Sequence, residues 1–249
     1  MPTKKVNILG VKVDMIDIAG AADRIMGFFN EERLHTVFTP NSEIIMAAYR
    51  DPEFCKMLNS ADLLTADGIG VVYASKILKR PINERAAGYD IARRVLEKLN
   101  YTEHKLFLFG GKPGVAEEAA ANLRKEYKEL NIAGTRNGYF KPEEEEEIVD
   151  QINASGADIV FVCLGAPKQE KWINAHKNEL RVKVAMGIGG SLDVFAGRVE
   201  RAPDFWCKIG MEWFYRLVKE PWRAGRMLDL PKFAATVIMK GKNYKQDEV

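Results

Sequence analysis

The sequence predicts an α/β fold built on a mostly parallel sheet with helices on both faces. Three observations predict it. Short apolar, β-branched runs alternate with amphipathic stretches along most of the 249 residues, the pattern of repeated strand–helix–strand crossovers. Asp158–Leu164 and Val182–Met186 are almost wholly apolar rather than alternating, as strands covered on both faces are. Each of the two runs stops at turn-forming residues, Gly165-Ala166-Pro167 and Gly187-Ile188-Gly189-Gly190-Ser191, before a helical pattern resumes.

Taken in order, Val6–Leu9 and Val11–Val13 flank Gly10 and read as a hairpin. Ile18–Asn30 reads as a helix with Ala21, Ile25 and Phe28 on its inner face. His35–Thr39 is a strand that ends at Pro40-Asn41-Ser42, ahead of helix Glu43–Ala48. Asp62–Thr65 is the next strand, and Ala66-Asp67-Gly68-Ile69-Gly70 turns it into a helix reaching Leu78. Arg85–Asp90 leads into helix Ile91–Leu99. Lys105–Phe109 is a strand, and Gly110-Gly111-Lys112-Pro113-Gly114 opens helix Val115–Leu130. Asn131–Thr135 is a strand, and Glu143–Asn153 a helix whose acidic start suits the positive end of its dipole. The units at Asp158 and Val182 complete a Rossmann-like series and set two small-residue turns side by side. In open parallel sheets that carboxyl edge is where ligands bind.

The composition changes after Gly197, dividing the chain into an α/β core at 1–197 and a helical appendage at 198–249. The appendage carries 11 Lys/Arg against 7 Asp/Glu, a net +4, while the rest has 26 against 28. Arg201–Lys219 reads as a helix apolar around most of its circumference, with Phe205, Trp206, Ile209, Trp213, Phe214 and Tyr215. Pro221 ends it, and Trp222–Leu230 and Lys232–Lys240 read as two further helices. Apolar surface interleaved with cations suits a bilayer surface or a protein partner. No stretch reaches spanning length, and the start MPTKKVNILG has no long apolar run, so no signal peptide is expected. Three scattered cysteines without a C-x-x-C pair point to a reducing compartment.

The strand ends nominate the chemistry. Thr39 and Asn41, Asp67, the Gly110–Gly114 loop, Gln169, and the Gly187–Ser191 turn with Asp193 should converge on one rim. Asp67 directly follows an apolar strand, so it is either the cap of the next helix or a general base. His35, His104 and His176 lack metal-ligand spacing, and neither an Asp-x-Asp pair nor a G-x-x-x-x-G-K-[ST] loop occurs. A diphosphate handled here would therefore be met by arginines, with Arg216, Arg223 and Arg226 as candidates; no metal and no cofactor is expected.

Several segments together resemble a known family: TPN at Thr39–Asn41, LLTADGIGVV at Leu63–Val72, RAAGYD at Arg85–Asp90 and LFLFGGKPGVAEEA at Leu106–Ala119. VCLGAPKQEKWI at Val162–Ile173, GIGGSLDVFAGRVERAP at Gly187–Pro203 and EWFYRLVKEPWRAGRM at Glu212–Met227 follow in order. Together they resemble the WecG/TagA/CpsF family of bacterial glycosyltransferases. The resemblance implies transfer of a sugar from a UDP donor to a polyprenyl-diphosphate-linked sugar at the cytoplasmic membrane face. In its TagA branch the donor is UDP-ManNAc and the acceptor undecaprenyl-diphosphate-GlcNAc, giving the linkage unit of wall teichoic acid; its WecG branch uses ManNAc uronic acid. It further implies Asp67 as base, Thr39 beside the sugar, and Arg216, Arg223 and Arg226 at the diphosphate. Arg85, Asn41, Gln169, Gly187, Gly189, Gly190 and Asp193 would bind substrate. The expected protein sits peripherally on the inner membrane face, takes no nucleic acid, and leaves homo-oligomerisation open. A nicotinamide-dependent oxidoreductase using the Gly110 loop and a non-catalytic sugar-nucleotide sensor are the rival classes.

Overall fold

The computed structural model describes residues 3–203, 205–206, 211–219 and 229–246, without the side chains of Glu212 and Arg216. Its centre is a six-stranded sheet of β3 (His35–Phe38), β4 (Leu63–Leu64), β5 (Lys105–Gly110), β6 (Asn131–Arg136), β7 (Ile159–Cys163) and β8 (Val184–Gly187). The strands lie in the order β4-β3-β8-β7-β5-β6, and every pairing is parallel. Strand side chains alternate between two apolar cores. On β7, Ile159, Phe161 and Cys163 enter one core and Val160 and Val162 the other, because successive residues of a strand point to opposite faces.

The first face is covered by α2 (Ser42–Arg50), α3 (Pro52–Asn59), α4 (Ile69–Ile77), α7 (Glu145–Ala154) and α8 (Lys168–His176). The second is covered by α1 (Ile18–Phe28), α5 (Gly88–Leu99), α6 (Val115–Glu126) and α9 (Ser191–Phe195). The hairpin β1 (Lys5–Ile8) and β2 (Val11–Asp14) packs on the first face through Val6, Ile8, Val11 and Val13. Buried Asp14 ties it to the sheet: its carboxylate accepts the Leu64 amide at 2.9 Å and lies 3.4 Å from Lys5 and 3.5 Å from Arg24.

Neighbouring strands β3 and β8 send their helices to opposite faces, α2 to the first and α9 to the second. This is a topological switch point, and in such sheets the ligand crevice lies at the carboxyl ends of the two strands. The expected strand order of events along the chain is therefore reproduced, with local corrections. Helix α3 was not anticipated, although Asp51-Pro52 announces it: the Asp51 carboxylate caps the Glu53 and Phe54 amides, with Pro52 in the first turn. Helix α5 starts at Gly88 rather than Ile91, and α6 stops at Glu126, where Tyr127 turns extended.

Beyond residue 197 the expected Arg201–Lys219 helix is not continuous. Residues 201–203 and Met211 are not helical, and the helix described here is α10 (Glu212–Lys219). Most of the expected Trp222–Leu230 helix lies outside the described residues; Leu230 itself belongs to α11 (Asp229–Lys240). Phe233 and Val237 of α11 are 2% and 1% exposed and join the first-face core. Arg50 pairs with Asp229 at 2.7 Å, and the Asn7 amide donates to the Gln246 side chain at 2.9 Å. Among the described residues no helix is long and apolar enough to cross a membrane.

Candidate active site

The ends of β3 and β4 bring Thr39, Asn41 and Asp67 to the crevice, with the Asp67 amide donating to the Pro40 carbonyl at 3.2 Å. Asp67 is half-buried and does not cap the helix that follows it: Gly68 occupies the N-cap of α4, and no side chain bonds there. Its Oδ2 instead accepts the backbone amide of Gly88, at the first turn of α5, at 3.3 Å. Gly88 is small because Thr39 lies against it; a Cβ there would come 2.8 Å from Thr39 Oγ1. Thr65 Oγ1 donates to the Ala86 carbonyl at 2.9 Å and so anchors this segment to the end of β4.

Asn41 has a structural duty. Its Oδ1 accepts the Ile44 amide at 2.9 Å and caps α2.

The register Val37↔Met186 sets Thr39 level with Ile188 on the neighbouring strand. There Gln169, 3% exposed, joins the two glycine-rich turns: its Oε1 accepts the Gly189 amide at 3.0 Å, and its Nε2 donates to Glu170 at 2.8 Å. Its amide lies flat on Gly187, where a Cβ would stand 3.0 Å from Nε2. Gly190 is the exposed N-cap of α9, and Asp193 falls in that helix's first turn. The Asp193 carbonyl accepts the Arg198 and Val199 amides, fixing the path of the chain as it leaves the core.

One cluster was legible only in part. Arg85 Nη2 lies 3.2 Å from Asp90 Oδ2, while Arg201 bonds the other oxygen of the same carboxylate. The Arg201 guanidinium also stacks 4.7 Å from the Tyr89 ring centroid, and Tyr89 stacks on Phe195. Two guanidiniums thus meet within one helical turn of the amide that holds Asp67. Arg85 had been singled out; Arg201, Asp90 and Tyr89 had not, although RAAGYD and VERAP contain them.

In the Gly110–Gly114 loop, Gly111 is bonded within the protein through both its amide and its carbonyl. The Gly111 amide donates to the Cys163 carbonyl at 3.2 Å, and the Gly111 carbonyl accepts the Gly138 amide at 2.8 Å. Arg198 closes the start of α6 by a two-bond pair to Glu118 at 2.7 and 2.8 Å. A dinucleotide loop offers its amides at the helix start, and here the Gly111 amide is taken by Cys163. Farther along the rim, Gly138, Tyr139, Phe140, Lys141, Leu164 and Lys168 line an open cleft. The side chain of Arg216 on α10, and Arg223 and Arg226 entirely, lie outside the described residues.

A parallel sheet that gathers a helix-held carboxylate and small-residue turns at its carboxyl edge has the layout of an α/β enzyme. The family model described as "Glycosyl transferase WecG/TagA/CpsF family" matches residues 6–247, and the chain belongs to that family of glycosyltransferases. It is 39% identical over 209 residues to the N-acetylglucosaminyldiphosphoundecaprenol N-acetyl-beta-D-mannosaminyltransferase of Bacillus subtilis (strain 168), covering 84% of this chain and 81% of that one. It is 35% identical over 246 residues to the protein of the same name from Staphylococcus aureus (strain MRSA252), covering 98% and 96%.

Proposed function

We propose that the protein transfers N-acetylmannosamine from UDP-ManNAc to the 4-hydroxyl of GlcNAc carried on undecaprenyl diphosphate. The names of the two relatives support the acceptor and the transferred sugar. In the proposed step the bond between the sugar's anomeric carbon and the UDP oxygen breaks as the acceptor O4–carbon bond forms. The anomeric configuration inverts, the acceptor hydroxyl proton passes to Asp67, and UDP departs with its negative charge. The observation that carries this reading is the Asp67 carboxylate, set beside Thr39 at the crevice and released from capping its own helix.

Thr39 and Asn41 would flank the sugar, and Gln169 with Gly187, Gly189, Gly190 and Asp193 would take the nucleotide side. Arg85, Arg216, Arg223 and Arg226 would balance the diphosphate, as preorganised cations do for a leaving group. No metal or other cofactor is assigned a role, since the sequence offers no Asp-x-Asp pair for a metal–diphosphate complex. A lipid-linked acceptor supports a peripheral position on the inner face of the cell membrane, in which the basic, aromatic segment after residue 197 would face the bilayer.

The test is to incubate the protein with a short lipid-diphosphate-GlcNAc analogue and either UDP-ManNAc or UDP-ManNAc uronic acid, with and without EDTA. The disaccharide should form from UDP-ManNAc and survive chelation. Preference for the uronic acid would move the protein to another branch of the family. Loss of transfer in EDTA, restored by Mg²⁺ or Mn²⁺, would overturn the metal-free mechanism.

A further inference from the structure

Glu170 is the third residue of α8 and is 0% exposed. One of its oxygens, Oε1, accepts Gln169 Nε2 at 2.8 Å; the other, Oε2, is buried without a hydrogen-bond partner among the described residues. Burial pushes its carboxyl pKa up, against a smaller lowering by the Gln169 bond, and no charged neighbour is among the causes. A polar side chain held this way is costly to keep, and packing gives no reason for it.

The reason lies in the next residue. The Gly189 amide can only donate, so Gln169 must turn its carbonyl oxygen toward it, and the Gln169 amino group must then find an acceptor on the opposite side. Glu170 is that acceptor. Were the Gln169 amide to flip, two N–H donors would face each other at Gly189, and the β8–α9 turn would lose its anchor. The run Lys168-Gln169-Glu170-Lys171 is wholly polar, yet Gln169 and Glu170 are buried.

We propose that Glu170 is a positioning residue of the donor site: it fixes the orientation of the Gln169 amide and, through it, the Gly187–Ser191 turn that receives the donor nucleotide. The inference rests on the reading of that turn as the donor side. Glu170 acts through Gln169.

The experiment compares wild type with Glu170→Leu and Glu170→Gln for UDP binding by calorimetry, for donor KM and kcat, and for hydrogen exchange in peptides spanning 187–193. Leucine fills the space without an acceptor, and losing a desolvated carboxyl offsets the loss of the bond to Gln169. Glu170→Leu should therefore unfold at a temperature close to wild type. It should bind UDP about tenfold more weakly, the weight of one positioning hydrogen bond, raise donor KM more than it lowers kcat, and speed exchange at Gly189. Glu170→Gln keeps an acceptor and should recover most of the lost affinity. Should the leucine variant not fold, Glu170→Met carries the same comparison.

Wild-type exchange and UDP affinity in a folded Glu170→Leu or Glu170→Met variant would overturn the proposal. A wild-type protein that does not bind UDP would overturn the donor-side reading itself, and the proposal with it.

Discussion

Asp67 accepts a hydrogen bond from the backbone amide of Gly88 at 3.3 Å, so the carboxylate nominated as the base is held by the first turn of a helix other than its own. Replacing it separates chemistry from architecture. Asp67→Asn keeps an acceptor for the Gly88 amide but cannot take a proton from the acceptor sugar. Transfer should fall by roughly 10²–10⁴-fold, the usual weight of a positioned base, with UDP affinity and thermal stability near wild type. Near-normal turnover in this variant would place the base elsewhere.

Gly88→Ala probes the same contact from the other side. The new Cβ would lie 2.8 Å from Thr39 Oγ1, and Thr39 is only 7% exposed, with little room to retreat. The backbone of residue 88 is helical and accepts alanine, so the fold should persist. Displacing Thr39 by a fraction of an ångström should nevertheless lower kcat, by up to about a hundredfold if the shift approaches 1 Å. Wild-type kcat would mean that Thr39 has no position-sensitive duty.

The strand ends were legible in sequence because the chemistry there is local. Thr39, Asp67 and the Gly187–Ser191 turn each stand directly after an apolar run, and parallel pairing gathers them. The links between them were not legible, since they span distance along the chain: Arg201 meets Asp90 across 111 positions and Gln169 meets Gly189 across 20. Glu170 was hidden for another reason. A glutamate between two lysines on a helix reads as solvent-facing, and only tertiary packing puts it inside. Helix α3 was missed although Asp51-Pro52 marks its start and Phe54 and Leu58 stand one helical turn apart on its buried face; at eight residues it is short enough to pass for the connection between α2 and β4.

The Asp90–Arg201 pair predicts a measurable coupling. The two side chains are 17% and 29% exposed, which screens the pair only in part. Arg201→Ala also forfeits the stacking on Tyr89. Each single variant, Arg201→Ala and Asp90→Asn, should lower stability by about 1 kcal/mol, and a double-mutant cycle in urea should return a coupling of about the same size. A coupling near zero would show that Arg201 is held by Tyr89 and the chain path alone.

Glu170 also sets a pH signature. Its folded-state pKa is raised above the ordinary carboxyl value of 4.5, chiefly by burial. The folded state therefore keeps its proton where the unfolded state releases it. The contribution is fully present below about pH 4.5 and is lost progressively as pH rises through the folded-state value. Relative to Glu170→Gln, which has no such group, wild type should lose stability as pH rises above 4.5. Urea midpoints for both proteins across a pH series test this, and parallel curves would mean that Glu170 is ionised in the folded protein.

The change of composition after Gly197 divides the chain into an α/β core and a helical appendage. Helix α11 bears on that division, because Phe233 and Val237 enter the first-face core and Asp229 pairs with Arg50. Burying two such side chains is worth roughly 1.5–3 kcal/mol each, so cutting the chain after Gly197 should lower stability by several kcal/mol while the sheet itself remains. Loss of transfer in the truncated protein would then have two causes, a weakened core and the missing arginines. The full-length variant with Arg216, Arg223 and Arg226 all changed to Ala separates them, since it keeps α11 docked. It should unfold near the wild-type temperature, bind UDP more weakly and transfer sugar at least about a hundredfold more slowly, as expected when electrostatic stabilisation of a leaving group is lost. It should also sediment less with vesicles containing phosphatidylglycerol if the proposed membrane-facing role of this segment holds, because three cations are gone. Transfer at a comparable rate by either protein would remove the tail arginines from the mechanism. A truncated protein that never folds, beside a stable arginine variant, would make residues 229–246 part of the core and move the domain boundary.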